Sequence, residues 1–374
     1  MDMQVSLENR VRLVMWELTR ACRLSCLHCS AGARQRRSQI ELSTYEAYKA
    51  IDQMAMLHPE ELILTGGDPL ERPDLYQLID YAVRRGLEPA LTVSPTPELT
   101  GAAMGNLRRH GLGRVVIGIE SSSPDRHDGA RGLAGQFAST LLAIRWARMV
   151  DLEVEVNTLV GRRTADDLES TAQFLAELGV SRWNVYFLVP ASESKDAHLL
   201  TARDVEDVFE RLQQIGARAP FVVRAFEAPH YRRFLLQKGL EARRRSLERY
   251  FQSADAEDLV LEKSAMAAAI TDRGETIFVS HTGEVSMSRF LPVTAGNIRY
   301  QALAAIYRSS DGFVALRNLR NLKGTCGRCE FRAMCGGSRA RAFAAGGDMF
   351  ATDPLCSYEP GQFGATAPML APGA

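Results

Sequence analysis

Seven cysteines fall into two groups, three near the start of the chain and four near its end. Cys22, Cys26 and Cys29 are spaced C-x3-C-x2-C, within eight residues. Three thiolates so close can wrap three irons of a [4Fe–4S] cube and leave the fourth iron without a protein ligand, which is where chemistry can happen. Soft thiolates also select zinc, so a structural zinc site completed by His28 is the competing reading, although such sites are usually built from paired C-x2-C units. Cys326, Cys329 and Cys335 are spaced C-x2-C-x5-C, and Cys356 follows after 20 intervening residues. Four thiolates suit Zn(Cys)4 or a fully ligated [4Fe–4S] cluster on spacing alone. An odd number of cysteines cannot all pair within one chain, which favours metal binding over disulfides.

The elements that position these cysteines follow from periodicity. From Val11 to about Pro190 short β-rich runs alternate with helical segments, the pattern of a parallel sheet built from βαβ units. Six runs, 12–18, 61–64, 88–93, 114–119, 153–158 and 183–189, predict an α/β fold, a partial (β/α)6 TIM-like barrel. Helix starts are marked by a capping box at Ser43 with Glu46, a first-turn proline at Pro73, and Thr164 preceding Asp167. The first cysteine group then lies in the loop after the first strand, at the end of a parallel sheet where ligands collect. Beyond about Ala202 a helix-rich stretch includes the basic run 243–245, read as a solvated face. Residues 275–280 and 284–287, joined by His281-Thr282-Gly283, read as a β-hairpin. The expected organisation is a barrel over 11–200, a helical connection over 201–269, a cysteine-bearing module over 270–360 and a loose tail over 361–374.

C-x3-C-x2-C after the first strand of a βα series resembles the signature of the radical S-adenosylmethionine (SAM) superfamily. The resemblance implies that the open iron chelates the amino and carboxylate groups of SAM, and that an electron from the cluster splits the sulfonium to a 5′-deoxyadenosyl radical. Further segments resemble the family's motifs in order. Thr65-Gly66-Gly67-Asp68-Pro69 is similar to the Gly-Gly-Glu-Pro turn at the SAM amino group, with Asp68 in place of the usual glutamate. Ser94 ends the third strand at a position that commonly contacts the SAM ribose or carboxylate. Gly118-Ile119-Glu120 stands where relatives more often read Ser-Leu-Asp, and Arg131 matches an arginine placed to meet the SAM carboxylate. Asn157 and Leu188 or Val189 would complete the ribose and adenine contacts. The segment from Cys326 to Arg341 resembles the C-terminal module called SPASM or twitch, which implies an auxiliary [4Fe–4S] cluster on the four later cysteines. The hairpin has no cysteine and Ser338 or Arg339 occupies a later ligand position, so one auxiliary cluster is expected. The Cys-Gly-Gly-Ser-Arg-Ala-Arg form is most similar to the haem-modifying subgroup, which acts on sirohaem-derived tetrapyrroles.

The chain carries 45 basic and 45 acidic residues, which gives no reason to expect nucleic acid or an anionic membrane as partner. No apolar run reaches membrane-spanning length and no signal-like start is present, so the expected location is the cytoplasm. The resulting expectation is a radical SAM enzyme that oxidatively modifies, by dehydrogenation or decarboxylation, a small biosynthetic intermediate. Tetrapyrroles and sugar- or nucleoside-like precursors are the substrate classes, with flavodoxin or ferredoxin as reductant. A ribosomal peptide is the alternative, less favoured because the barrel begins almost at Val11, and a non-catalytic iron–sulfur electron carrier is a second. Glu155, Tyr186 and His281 are polar residues near expected strand ends or the hairpin, without an assigned role.

Overall fold

The structure is a computed structural model, and it describes residues 11–26, 29, 31–190, 199–250 and 274–362, with backbone alone for 242–250. The six expected strands are present as β1 (Leu13–Glu17), β2 (Glu61–Thr65), β3 (Pro89–Val93), β4 (Arg114–Gly118), β5 (Glu153–Val160) and β6 (Arg182–Phe187), each parallel to the next. Their intervening helices are α1 (Thr44–Ala55), α2 (Leu75–Arg84), α3 (Gly101–Arg109), α4 (Pro124–Arg131), α5 (Gln136–Met149) and α6 (Leu168–Leu178).

A seventh parallel strand extends this partial barrel. After α7 (Ala202–Gly216), β7 (Val222–Phe226) pairs with β6, within a stretch whose sequence reads as helix-rich. Its single apolar run, FVVRAF, is short and interrupted by Arg224, and the long helix α8 (His230–Tyr250) that follows dominates the local pattern. The basic run 243–245 lies on α8, but its side chains fall outside the described residues, as do His28 and the tail beyond 362.

The hairpin is present as β8 (Thr276–Val279) and β9 (Glu284–Ser288), and a third strand, β10 (Leu291–Asn297), extends it. Because β8 pairs in parallel with β1, all ten strands form one sheet, ordered β10-β9-β8-β1-β2-β3-β4-β5-β6-β7. Among the described residues four short helices follow: α9 (Leu303–Ser309), α10 (Asp311–Arg317), α11 (Gly324–Arg328) and α12 (Arg339–Gly346).

Alternation along the strands sorts residues to two faces. Val14, Trp16, Leu62, Leu64, Val115, Ile117 and Val156 pack outward into the large core shared with the helices. Leu13, Ile63, Ala90, Val116 and Phe226 form a smaller inner cluster, joined by Met15 and Tyr186. At the N-terminal ends of the strands the interior is closed by charge. Glu61 pairs with Arg224 at 2.5 Å, and Glu155 with Arg114 at 2.9 Å and Arg182 at 2.6 Å. Glu155 is thus a closure residue at the strand start, far in register from the strand ends.

Ser43 and Glu46 form the expected capping box. Two other helix signals act differently. Pro73 lies ahead of α2, whose cap position is Asp74, while Pro69 begins a single 3-10 turn, Pro69–Glu71. Thr164 makes no cap bond, because its hydroxyl instead donates to the Leu159 carbonyl at 2.9 Å.

Candidate functional site

The chain leaves β1 through Leu18, Thr19, Arg20 and Ala21, and the Cys22–Cys29 loop is pinned at its neck. Cys22 N donates to the Arg34 carbonyl and Arg34 N to the Arg20 carbonyl, both at 2.8 Å, forming the isolated bridge between Ala21 and Arg34. The turn after β2 packs directly beneath. Gly67 N donates to the Thr19 carbonyl at 2.8 Å and Asp68 N to the Ala21 carbonyl at 2.6 Å. A Cβ on Gly66 would lie 2.6 Å from the Thr19 carbonyl oxygen, and one on Gly67 2.7 Å from that of Arg20 and closer still to Ala21. The two glycines are therefore required for close approach of this turn to the cysteine loop. Buried Arg72 supports the same segment by donating to the carbonyls of Leu18 at 3.0 Å and Leu42 at 2.9 Å.

Cys22 is buried, while Cys26 and Cys29 are half-buried. Burial, reinforced by the carboxylate of Asp68, pushes the Cys22 thiol up to about 11 against the opposing Leu24 amide, which donates to its sulfur at 3.4 Å. Asp68 is itself fully buried. Its Oδ2 accepts from the Thr96 hydroxyl at 2.5 Å and its Oδ1 from Leu70 N at 3.0 Å, so this carboxylate shapes the turn. Burial raises its pKa. Thr65 is buried at the end of β2, with its carbonyl accepting from Leu18 N at 2.7 Å. Ser94 is half-buried just beyond β3.

Across the sheet, Glu120 follows β4 and is buried. Its Oε2 accepts from Leu159 N at 3.0 Å and its Oε1 lies 3.2 Å from Arg131 Nη2. The guanidinium of Arg131 passes over Gly118, in the space that a Cβ there would fill. Arg131 Nε is buried with no hydrogen-bond partner among the described residues. Asn157 is tied to Asn184, whose amide donates to its side-chain oxygen at 3.0 Å. Leu188 lies one residue past β6 and is half-buried.

Between these positions and the hairpin lies a charged group that only Tyr186 and His281 hint at in the sequence. Glu17, the last residue of β1, is buried and bonded to His281 Nδ1 at 2.8 Å, Arg20 Nε at 3.1 Å and, more distantly, Arg289 at 3.7 Å. Burial alone would raise its pKa, but His281 and the two arginines hold it below the ordinary value. Arg289 lies over the Phe278 ring, and its positive charge opposes the burial that raises the Tyr186 hydroxyl. Tyr186 stacks on Phe226 with ring centroids 4.5 Å apart. Glu17, Arg20 and Arg289 carry no motif; a charged residue at an inward strand position is the signal that could have found Glu17.

The four later cysteines line one small cavity together with Arg233 and Arg332. Gly337 N donates to Cys335 Sγ at 3.4 Å, and buried Arg339 donates through Nη2 to Cys326 Sγ at 3.7 Å. The other donors of Arg339 fix the surrounding backbone, at the carbonyls of Gly337, Met349 and Ala351. Burial raises the thiols of Cys329, Cys335 and Cys356, the last to about 11. Beneath the cavity, Asp353 makes a bidentate pair with Arg341 at 2.8 and 2.9 Å and accepts from Ser338 N at 2.8 Å. Burial would raise this carboxyl, yet Arg341 holds it far below the usual range. No group of three or more His, Cys, Asp or Glu among the described residues converges as for a single metal ion.

Residues 16–175 match the model of the radical SAM superfamily. Over 358 residues, 96% of this chain and 99% of the relative, the sequence is 34% identical to the AdoMet-dependent heme synthase of Methanosarcina barkeri. The chain belongs to the radical SAM superfamily. It is also 27% identical to the PqqA peptide cyclase of Rhodopseudomonas palustris, over 93% of this chain and 87% of that one. Among solved structures, Streptococcus suis SuiB bound to S-adenosylmethionine superimposes with a TM-score of 0.69 at 11% identity, covering 94% of this chain and 78% of that chain, a likeness of fold.

As a radical SAM enzyme the protein uses SAM and a [4Fe–4S] cluster. The turn after β2, the Glu120–Arg131 pair and the cysteine loop all stand at the C-terminal ends of the parallel strands, where a barrel-type fold assembles its chemistry. Among the described residues no helix is long and apolar enough to cross a membrane.

Proposed function

We propose that this radical SAM enzyme oxidatively modifies a carboxylate-bearing tetrapyrrole, with Cys22, Cys26 and Cys29 holding the SAM cluster and Cys326, Cys329, Cys335 and Cys356 an auxiliary [4Fe–4S] cluster. The observation that carries the substrate class is the likeness to AdoMet-dependent heme synthase along nearly the whole chain, which reaches both cysteine sets. The donor chemistry supports the clusters. Thiols whose pKa burial has raised need a strong cation to become thiolates, and amide and guanidinium donors to Cys22, Cys335 and Cys326 are the hydrogen bonds that tune cluster sulfurs. When bound, the first cluster supplies the electron that cleaves SAM to the hydrogen-abstracting 5′-deoxyadenosyl radical.

The chain's own residues then bind and orient. Thr65, Gly66, Gly67 and Asp68 shape the turn against which SAM's amino group would rest, the Asp68 carboxylate acting through that turn. Arg131, steadied by Glu120 and with its buried Nε available, is the partner for the SAM carboxylate. Ser94, Asn157 and Leu188 border the ribose and adenine. Arg289 and Arg20, set around Glu17 on the inner side, suit an anionic side chain of the substrate. Residues 11–200 would thus carry SAM and 270–360 the auxiliary cluster that accepts the electron left by substrate oxidation, with flavodoxin or ferredoxin as reductant.

The likeness to a PqqA peptide cyclase favours a peptide as the second reading. The test is anaerobic reconstitution, iron counting, and incubation with dithionite, SAM and an iron tetrapyrrole bearing propionate side chains. Two four-iron clusters, 5′-deoxyadenosine formation and loss of carbon dioxide from the tetrapyrrole are expected. Deoxyadenosine with an unchanged tetrapyrrole would overturn the substrate class, and Cys26→Ala retaining SAM cleavage would overturn the site.

A further inference from the structure

The chain is neutral overall, yet residues 308–332 carry six cations, Arg308, Arg317, Arg320, Lys323, Arg328 and Arg332, against two acids, Asp311 and Glu330. Lys323 is paired with Asp348 at 2.7 Å, which leaves the five arginines as the basic character of the stretch. This basic stretch frames an open cleft of about 800 Å³. Val314, Leu319 and Leu322 give the cleft apolar lining, and Arg317, Arg320 and Arg332 line it with charge. Val314 is 49% exposed, a large aliphatic side chain left facing solvent.

Position gives the cleft its meaning. Arg332 lines both this cleft and the cavity of the four cysteines, and Gly327, between Cys326 and Cys329, lines the cleft as well. A basic cleft therefore adjoins the site of the four cysteines. A small apolar patch ringed by arginines, with little room for a large dry interface, matches the needs of a weak, electrostatically steered encounter.

We propose that this cleft is the docking surface for an acidic one-electron carrier protein that exchanges electrons with the auxiliary site. The proposal rests on the cluster reading above. A cluster held by Cys326, Cys329, Cys335 and Cys356 would be oxidised by one electron and the carrier docked at the arginines reduced by one, with no atom transferred. The arginines speed encounter and set orientation, so removing them acts chiefly on association and its salt dependence.

The test uses the reconstituted full chain and an acidic flavodoxin as probe, with binding measured by interferometry at low and at moderate salt. Wild type should bind at low salt and lose affinity steeply as salt rises, and Arg320→Glu/Arg332→Glu should bind at least tenfold more weakly. Arg320→Lys/Arg332→Lys should restore most of the binding, which separates loss of charge from loss of fold. Absence of flavodoxin binding at low salt, or a double variant that binds as wild type does, overturns the proposal. So does equal binding of single-stranded DNA or phosphatidylserine vesicles, which would make the cleft a general polyanion surface. Iron and zinc are counted in the same samples: zinc on the four cysteines would refute the cluster reading and the electron exchange, whatever the binding result.

Discussion

Two glycine-to-alanine substitutions should separate building the SAM site from using it. At Gly118 the added methyl takes the place of the Arg131 guanidinium, the far end of a flexible side chain that can swing away. The fold then loses the Arg131–Glu120 contact at 3.2 Å, between side chains 13% and 5% exposed, for about 1 kcal/mol. A SAM carboxylate would lose one charge-assisted hydrogen bond, about 1.5–3 kcal/mol, or roughly 10- to 150-fold in Kd. At Gly67 the methyl meets the carbonyls of Arg20 and Ala21, backbone that cannot step aside, and endangers two hydrogen bonds, Gly67 N to Thr19 and Asp68 N to Ala21. That substitution should destabilise by about 2–4 kcal/mol and open the neck of the cysteine loop. Equilibrium dialysis with labelled SAM, iron counting and thermal unfolding give the readouts. Gly118→Ala should keep its iron and lose SAM affinity, whereas Gly67→Ala should lose iron. SAM affinity within twofold of wild type in Gly118→Ala, or full iron in Gly67→Ala, would refute the reasoning.

Three further outcomes are expected. Arg339→Gln removes the donor to Cys326 Sγ and a buried positive charge, so the proposed auxiliary cluster should become harder to reduce by about one tenfold step in equilibrium, ~59 mV for one electron, in an EPR-monitored potentiometric titration. Glu155→Gln leaves Arg114 and Arg182 only the more distant Glu61, at 3.9 and 4.0 Å, and should destabilise by about 1.5–3 kcal/mol in denaturant unfolding, with iron loading unchanged. Glu46, hydrogen-bonded to Arg299 and to Ser43 N, has its pKa lowered to about 2. A depressed folded-state pKa contributes stability above the unfolded value near 4.5 that is lost as pH falls toward 2. The Tm difference between wild type and Glu46→Gln should therefore be present at pH 7 and vanish near pH 2, and because this pair is partly solvated it should amount to about 1 kcal/mol.

The parts of the molecule legible in the sequence are those written in local signals. Strands β1 to β6 announce themselves by apolar runs between helical segments, and Ser43 with Glu46 marks a helix start through neighbouring residues alone. The resemblance to the radical SAM superfamily begins from cysteine spacing, which is local too. What escaped was set by partners distant in sequence. β7 is a strand because β6 offers it an edge, and Arg224 is tolerated there because Glu61, 163 residues away, receives it. Glu17 reads as an ordinary end of strand until His281, 264 residues on, meets it. The two glycines after β2 resemble a family turn in sequence, and the fold adds a requirement of its own that no local signal shows, close approach to the backbone of Thr19 to Ala21.

The same distant pairing explains how the cysteine module is held to the barrel. β8 lies parallel to β1, so the hairpin continues the sheet that ends at the first cysteine loop. Glu227, just past β7, adopts a left-handed φ of 55°, a conformation that a non-glycine residue holds only when its surroundings enforce it. Its buried carboxylate accepts from the Ser338 hydroxyl at 2.7 Å and the Ser288 hydroxyl at 3.3 Å. Ser288 ends β9 and Ser338 caps α12 three residues after Cys335, so one strained residue at the open edge of the barrel grips both the hairpin and the second cysteine set. Replacing Glu227 with Gln leaves the shape but weakens both acceptor bonds, whereas Gly relieves the backbone and removes them. If the grip positions the module, both variants should loosen residues 284–346 in hydrogen exchange while β2 to β5 stay protected. Uniform loosening of the whole sheet would instead mean that Glu227 serves general stability, with the continuous β1–β8 pairing holding the module in place.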